Sequence, residues 1–230
     1  MNHKTAILIF TRTAREEARR KDFSSEGNSA VNLSISTSLI NRTVREARKS
    51  RIPYFIISSD RQKGTSFGER FTNALKEVFD TGFENVIAIG NDSPQLNGAL
   101  LQQAEFSLEK NEIVLGPDRR GGAYLIGISK KYFQEEILKN FRWNTSDLFS
   151  DFTSWIEEEN ISHEILNELS DINSASDLRF ILERKNISFS FLRTLQSILA
   201  SAIISSEEKL FPFVNPFLRL DNSRRGPPAV

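Results

Sequence analysis

Short apolar runs rich in β-branched residues alternate along the first half of the chain with longer stretches whose apolar residues recur at helical spacing. Ala6–Phe10, Pro53–Ser59, Asn85–Ile89 and Glu112–Leu115 read as strands. Leu39–Arg51, Phe67–Thr81 and Gly98–Lys110 read as the helices between them. In Phe67–Thr81 the residues Phe67, Phe71, Leu75, Val78 and Phe79 fall on one helical face. Strand alternating with helix predicts a parallel sheet built from right-handed βαβ units. Beyond Leu115 the order changes. Ala123–Ile128 is a further strand behind a Gly-containing loop. Lys131–Asn140, Asp147–Asn160 and Ser176–Arg184 are helices, and His163–Asn167 is a short last strand. Ser24–Ser38, rich in Ser and Asn, reads as a loop.

The expected organisation is a catalytic-type α/β domain over residues 1–185 and a helical extension over 186–218, which contains the apolar stretch Ser188–Ile204. A mobile Pro/Gly-rich tail covers 219–230. At 230 residues the chain can bury one sizeable core. Lys+Arg and Asp+Glu each total 30, a balance that argues against a nucleic-acid or polyanion binder. The absence of cysteine excludes disulfides and thiolate chemistry, and two histidines are too few for a His-rich zinc site. The apolar run Ala6–Phe10 is too short for a signal-peptide core or a membrane span, so a cytoplasmic protein with no membrane partner is expected. Homo-oligomerisation is left open.

Four constellations carry candidate chemistry. Gly90-Asn91-Asp92-Ser93-Pro94 follows directly on a strand, where open α/β sheets place their ligands. Asp92 there is either a ligand to a hard divalent cation or an ordinary turn former. Gly116-Pro117-Asp118-Arg119-Arg120-Gly121-Gly122 is either a phosphate- or acceptor-facing loop or a plain hairpin turn. Arg12 to Lys21 follows the first strand, at a phosphate-binding position, but lacks glycine. A solvated helix with Glu16 and Glu17 paired to Arg19, Arg20 and Lys21 is the plainer account. Asp171-Ile172-Asn173 through Leu178 either completes a metal shell or caps a helix. No serine sits in a Gly-x-Ser-x-Gly frame.

Taken in order, these segments resemble a bacterial group of GT-A-fold transferases, termed glycosyltransferase-like and linked in some genomes to radical-SAM or selenium genes. That group is related to the nucleotidyltransferases of molybdopterin and coenzyme F420 biosynthesis. The residues carrying the resemblance are Gly64-Thr65-Ser66-Phe67-Gly68-Glu69-Arg70, Gly90 to Leu96, Gly116 to Tyr124, Trp143-Asn144-Thr145-Ser146 and Asp171 to Leu178. The resemblance implies a three-layer α/β/α sandwich of nucleotide-diphospho-sugar transferase type, with a mixed, mainly parallel sheet. It implies a nucleotide or sugar nucleotide as donor, an unknown acceptor, and Mg²⁺ or Mn²⁺ held by Asp92, with Asp171 and Asn173 completing the shell. Arg12, Arg20, Gly68, Glu69, Arg70, Gly121 and Gly122 would form the nucleotide side, and Asp92 and Arg120 the catalytic positions.

Two positions depart from the family pattern. Asp22 stands where an Arg is expected, and Arg120 replaces the Asp of an Asp-Gly-Gly. Three functions are therefore carried forward. They are metal-dependent nucleotidyl or glycosyl transfer, nucleotide binding without catalysis, and a scaffold acting through the Phe-rich C-terminal extension.

Overall fold

The computed structural model describes residues 3–24, 27–184 and 186–210, with side chains described as far as Ser201. The tail expected over 219–230 lies outside the described residues. Six strands form one sheet: β1 (Thr5–Thr11), β2 (Tyr54–Ser58), β3 (Asn85–Ile89), β4 (Ile113–Pro117), β5 (Ala123–Ser129) and β6 (His163–Ile165). Their spatial order is β2-β1-β3-β5-β4-β6. β1, β2 and β3 run parallel, β5 is antiparallel to both β3 and β4, and β6 returns parallel to β4.

Alternation of side chains along the strands divides the core in two. Leu8, Ala88 and Ile126 face one side, under α3 (Phe67–Phe79), α5 (Glu135–Asn140) and α6 (Leu148–Glu158). Ile7, Ile9, Ile87 and Leu125 face the other, under α2 (Ser29–Ser50) and α4 (Gly98–Leu108). The result is the expected three-layer α/β/α sandwich with a mixed, mainly parallel sheet. A third cluster joins α2 to α7 (Ala175–Arg184) and α8 (Phe189–Leu210), with Phe23, Ile35, Leu39, Ile172, Ile181, Phe191 and Leu195 buried together. Among the described residues, no helix is long and apolar enough to cross a membrane.

Two expected elements differ. Ser24–Ser38 is not all loop: α2 starts at Ser29, capped by the Asn28 side chain, which accepts from Ala30 and Val31 N–H. The Ser/Asn-rich composition hid a helix whose buried residues Val31, Ile35 and Leu39 lie four apart, with polar residues filling the solvent face. Lys131–Asn140 is not one helix. A 3₁₀ turn at Lys130–Tyr132 precedes α5, which starts only at Glu135.

Candidate active site

Parallel pairing of Ile9 with Ile89 brings the ends of β1 and β3 to the same height. The chain leaves β1 into α1 (Ala14–Arg20) and leaves β3 into the Gly90–Pro94 turn. The two exits are tied by Thr11 Oγ1, which donates to Asn91 Oδ1 at 3.0 Å. A cleft of about 920 Å³ opens above them. Arg12, Arg20, Arg70, Asp92, Arg120, Gly122, Asp171 and Asn173 all line it, so most of the residues expected at the site share one cavity.

α1 is the salt-bridged helix its spacing suggested, solvated along Arg15, Arg19 and Arg20 but with one buried charge. Glu17 is buried, its side chain 5% exposed. Its Oε1 accepts from Arg12 Nη1 at 3.2 Å, and its Oε2 lies 3.4 Å from Lys21 Nζ. Glu16 lies 3.9 Å from Arg12 and 3.6 Å from Arg20. Two glutamates therefore hold three cations in place along one wall of the cleft, which is preorganisation toward an anion.

Lys21 was not singled out as a site residue in the sequence. Its Nζ donates to Asp92 Oδ2 at 3.0 Å and to the Ile172 carbonyl at 3.4 Å. Burial alone would lower the Lys21 pKa, but the Asp92 and Glu17 carboxylates outweigh it and hold the ammonium above its usual value. For Asp92, burial is the largest influence and pulls upward, but the Lys21 charge and hydrogen bond, a backbone hydrogen bond and the Arg12 charge together hold the carboxyl below its usual value. Asp171 is the opposite case. Burial first, and then the Asp92 carboxylate, push it up to about 8, although the Ser93 hydroxyl donates to its Oδ1. Two acidic groups thus face each other with less positive charge than both need.

That imbalance suits a hard divalent cation, because both groups offer carboxylate oxygen. Among the described residues, no three His, Cys, Asp or Glu side chains converge as a ready-made cage. Asp92 and Asp171, with Asn173 on the same lining, would be the residues to hold such an ion, with the Lys21 ammonium standing beside them.

The two departures take on specific shapes. Asp22 does not face the cleft: its carboxylate accepts from Ser24, Gly27 and Asn32 and braces the loop before α2. Arg120 lines the cleft, but its Nη2 donates to Asp177 Oδ1 at 2.5 Å. Asp177 also caps α7, accepting from Asn173 N–H and Ser174 Oγ through Oδ2. The β4–β5 connection is the hairpin that its glycines suggested. Asp118 Oδ1 accepts from Arg120 and Gly122 N–H, and Arg119 turns away to Glu168. Gly121 has φ +81°, and a Cβ there would lie 2.0 Å from the Ser146 carbonyl oxygen, so this position fastens the hairpin to the Ser146 loop.

Gly68 and Glu69 stand behind the cleft rather than on its lining. Glu69 closes a capping box with Ser66 and accepts from Thr65, which starts α3. A Cβ at Gly68 would lie 2.3 Å from the Lys139 carbonyl oxygen and 3.0 Å from the Trp143 ring. Gly→Ala inside an exposed helix stabilises by about 0.5–1 kcal/mol. Gly68→Ala is expected to do the reverse and cost about 1–3 kcal/mol through overpacking. Urea denaturation would check this, and a stabilised variant would show that the gap closes easily.

A model of the family of uncharacterised proteins conserved in bacteria (DUF2064) matches residues 30–145, half of the chain. Comparison with curated proteins found no match. Among solved structures, a Desulfovibrio desulfuricans G20 protein provisionally assigned as a nucleotide-diphospho-sugar transferase superposes with a TM-score of 0.74. It is 21% identical, over 90% of this chain and 96% of that one. Rv0371c from Mycobacterium tuberculosis H37Rv, solved in complex with manganese, gives 0.48 at 12% identity, over 78% of this chain and 98% of its own. A cytidylyltransferase from Leptospira borgpetersenii gives 0.42 at 14%, over 90% and 96%. The first similarity establishes the nucleotide-diphospho-sugar transferase-like fold.

Proposed function

The chain belongs to the DUF2064 family of bacterial proteins, and for this member we propose metal-dependent transfer of a nucleotidyl or glycosyl group from a nucleoside triphosphate or sugar nucleotide. The observation that carries the proposal is the facing pair Asp92 and Asp171 at the carboxyl edge of the parallel strands. Charge between them is unbalanced, and an arginine- and lysine-bearing wall stands alongside. Mg²⁺ or Mn²⁺ held there would offset charge building on the departing phosphate oxygens.

The chain's own residues supply the rest. Arg12 and Arg20, steadied by Glu16 and Glu17, meet the phosphates of the donor, with Arg70 on the same lining. Lys21 keeps Asp92 ionised and oriented between ligands, so the carboxylate is ready when the donor arrives. Asp118 locks the hairpin at Gly122, which keeps the backbone close to the bound substrate. Arg120, on the cleft lining and paired with Asp177, is the catalytic candidate on the acceptor side.

The rival without catalysis rests on the two departures. Asp22 gives it little support, because its carboxylate serves its own loop and Lys21 supplies the cation next door. The scaffold reading has less room as well, because the first turns of α8 already pack on α2.

Calorimetry with a panel of nucleotides and sugar nucleotides, with and without Mn²⁺, is expected to show binding that needs the metal. If no member of the panel binds under either condition, the proposal fails. If binding occurs and no acceptor is ever turned over, the non-catalytic reading stands.

A further inference from the structure

The cleft has two unlike walls. On the α2 side stand the charged groups of α1. On the α3–α5 side stands a run of aromatic rings that the proposed chemistry does not use. Phe10, Phe67, Phe71 and Trp143 all line the cavity, and Phe10, Phe67 and Trp143 are only half-buried. Their rings form one continuous surface. Phe10 meets Phe67 and Phe71 edge-on at 5.6 and 5.4 Å, and Trp143 lies 5.3 Å from Phe67 and 4.6 Å from Phe71.

The wall is rigid. Trp143 Nε1 donates to the Leu138 carbonyl at 2.7 Å, which fixes the indole plane. The tight approach of Gly68 to Trp143 fixes it from another side. The small side chains of Ala88 and Ala123 also line the cavity. At the rim, Arg70 donates to the Thr65 carbonyl and Arg120 to Asp177, so neither side chain lies free across the rings.

Group transfer needs two substrates side by side. The donor's phosphates belong to the charged wall, where Ser59 and Gln62 at the end of β2 add polar groups for the rest of a nucleoside. The aromatic wall is left for the second substrate. Building on the proposed transferase reading, we infer that this wall is the acceptor subsite, and that the acceptor lays the face of a ring, a sugar or an aromatic, against Phe67 and Trp143. Ring faces gain from an aromatic surface through dispersion and CH–π or stacking contact, whereas a second phosphate or a peptide carboxylate would gain nothing there.

The chain's two tryptophans make the test direct. Trp155 is buried with its Nε1 unbonded, so Trp155→Phe loses no hydrogen bond and leaves Trp143 as the sole indole reporter. In that background the probes are phenyl β-glucoside, glycerol as a ring-free control, CTP, GTP and pyrophosphate, each with Mn²⁺. We expect phenyl β-glucoside to shift the Trp143 emission saturably and glycerol not to. Phe67→Ala should weaken the glucoside by about tenfold, the scale of one stacking contact, and leave CTP, GTP and pyrophosphate within about twofold.

Phe67→Leu keeps the packing against Phe10 and Phe71 without the ring. It should show the same selectivity if Phe67→Ala folds poorly. Weakening of CTP or GTP with pyrophosphate unchanged would assign the wall to the nucleobase and overturn the inference while leaving the transferase reading intact. No response to the glucoside would overturn it as well. Failure of pyrophosphate and all nucleotides to bind would instead bring down the transferase reading and the acceptor assignment with it.

Discussion

Asp92→Asn is expected to lower metal-dependent nucleotide affinity by at least about a hundredfold, more than loss of an outer partner of a metal ligand typically costs. Asn keeps the volume and one oxygen, so the Gly90–Pro94 turn should survive, and the Asp92 carbonyl should still accept from Ile172 N–H. What is lost is the charge. One of the two facing carboxylates is gone, and Asp171 alone offers a divalent cation half the charge of the pair. Lys21 loses its 3.0 Å partner too, and its side chain is only 11% exposed. Glu17 at 3.4 Å and the Ile172 carbonyl still satisfy it in part, so the stability cost should be smaller than the 3–5 kcal/mol of a fully broken buried pair. Calorimetric titration of Mn²⁺–nucleotide into both proteins, with their melting curves compared, checks this. Equal affinities would remove Asp92 from the metal site.

The second large effect is on stability against pH, and it runs opposite to the usual acidic residue. In the folded, metal-free protein Asp171 keeps its proton until about pH 8, held first by burial and then by the Asp92 carboxylate. In the unfolded chain an aspartate releases its proton near pH 4. Between those values the folded state binds more protons, so stability is fully present below about pH 4 and falls as pH rises toward 8. The slope is at most about 1.4 kcal/mol per pH unit. Asp92, shifted the other way, loses its contribution only as pH falls below the ordinary aspartate range. Asp171→Asn fixes the neutral form and keeps an oxygen for the Ser93 hydroxyl. Its melting temperature should be level from pH 5 to 8 where that of the parent declines. The two curves should separate with rising pH, and parallel curves would rule the coupling out.

Much of this fold is legible in the amino-acid sequence. β-branched runs such as Ile87-Ala88-Ile89 and the Phe67–Phe79 face mark a buried central strand and a helix that covers the sheet, because burial on one or both faces leaves a period in the sequence. The turn after β3 placed Asp92 just past a parallel strand, but ligand and turn former read alike there, and only the other segments, taken in order, favour the ligand. The start of α2 was hidden because a one-sided helix needs an apolar residue only every third or fourth position, and Ser and Asn filled the rest. Lys21 was hidden for a different reason. It is one of five basic residues between Arg12 and Lys21, and only the three-dimensional path from Glu17 to Asp92 separates it from Arg15 and Arg19. The Asp22 and Arg120 departures looked alike in sequence. Space distinguishes them, for one carboxylate turns into its own loop while the other position's guanidinium lies on the cleft.

Phe23 and Ile172 share a cluster with Phe191 and Leu195 of α8, and each is chain-adjacent to a loop that carries a charged member of the site. Lys21 lies two residues before Phe23, and Asp171 one before Ile172. Arg42, pressed over the Phe191 ring at 5.3 Å and lowered by burial to about 10, belongs to the same contact. α8 therefore works as a clamp on the far side of the site, closing over the roots of two loops whose tips meet at the carboxylates. The placing of Lys21 and Asp171 is thus set partly by a helix packed on their chain neighbours Phe23 and Ile172.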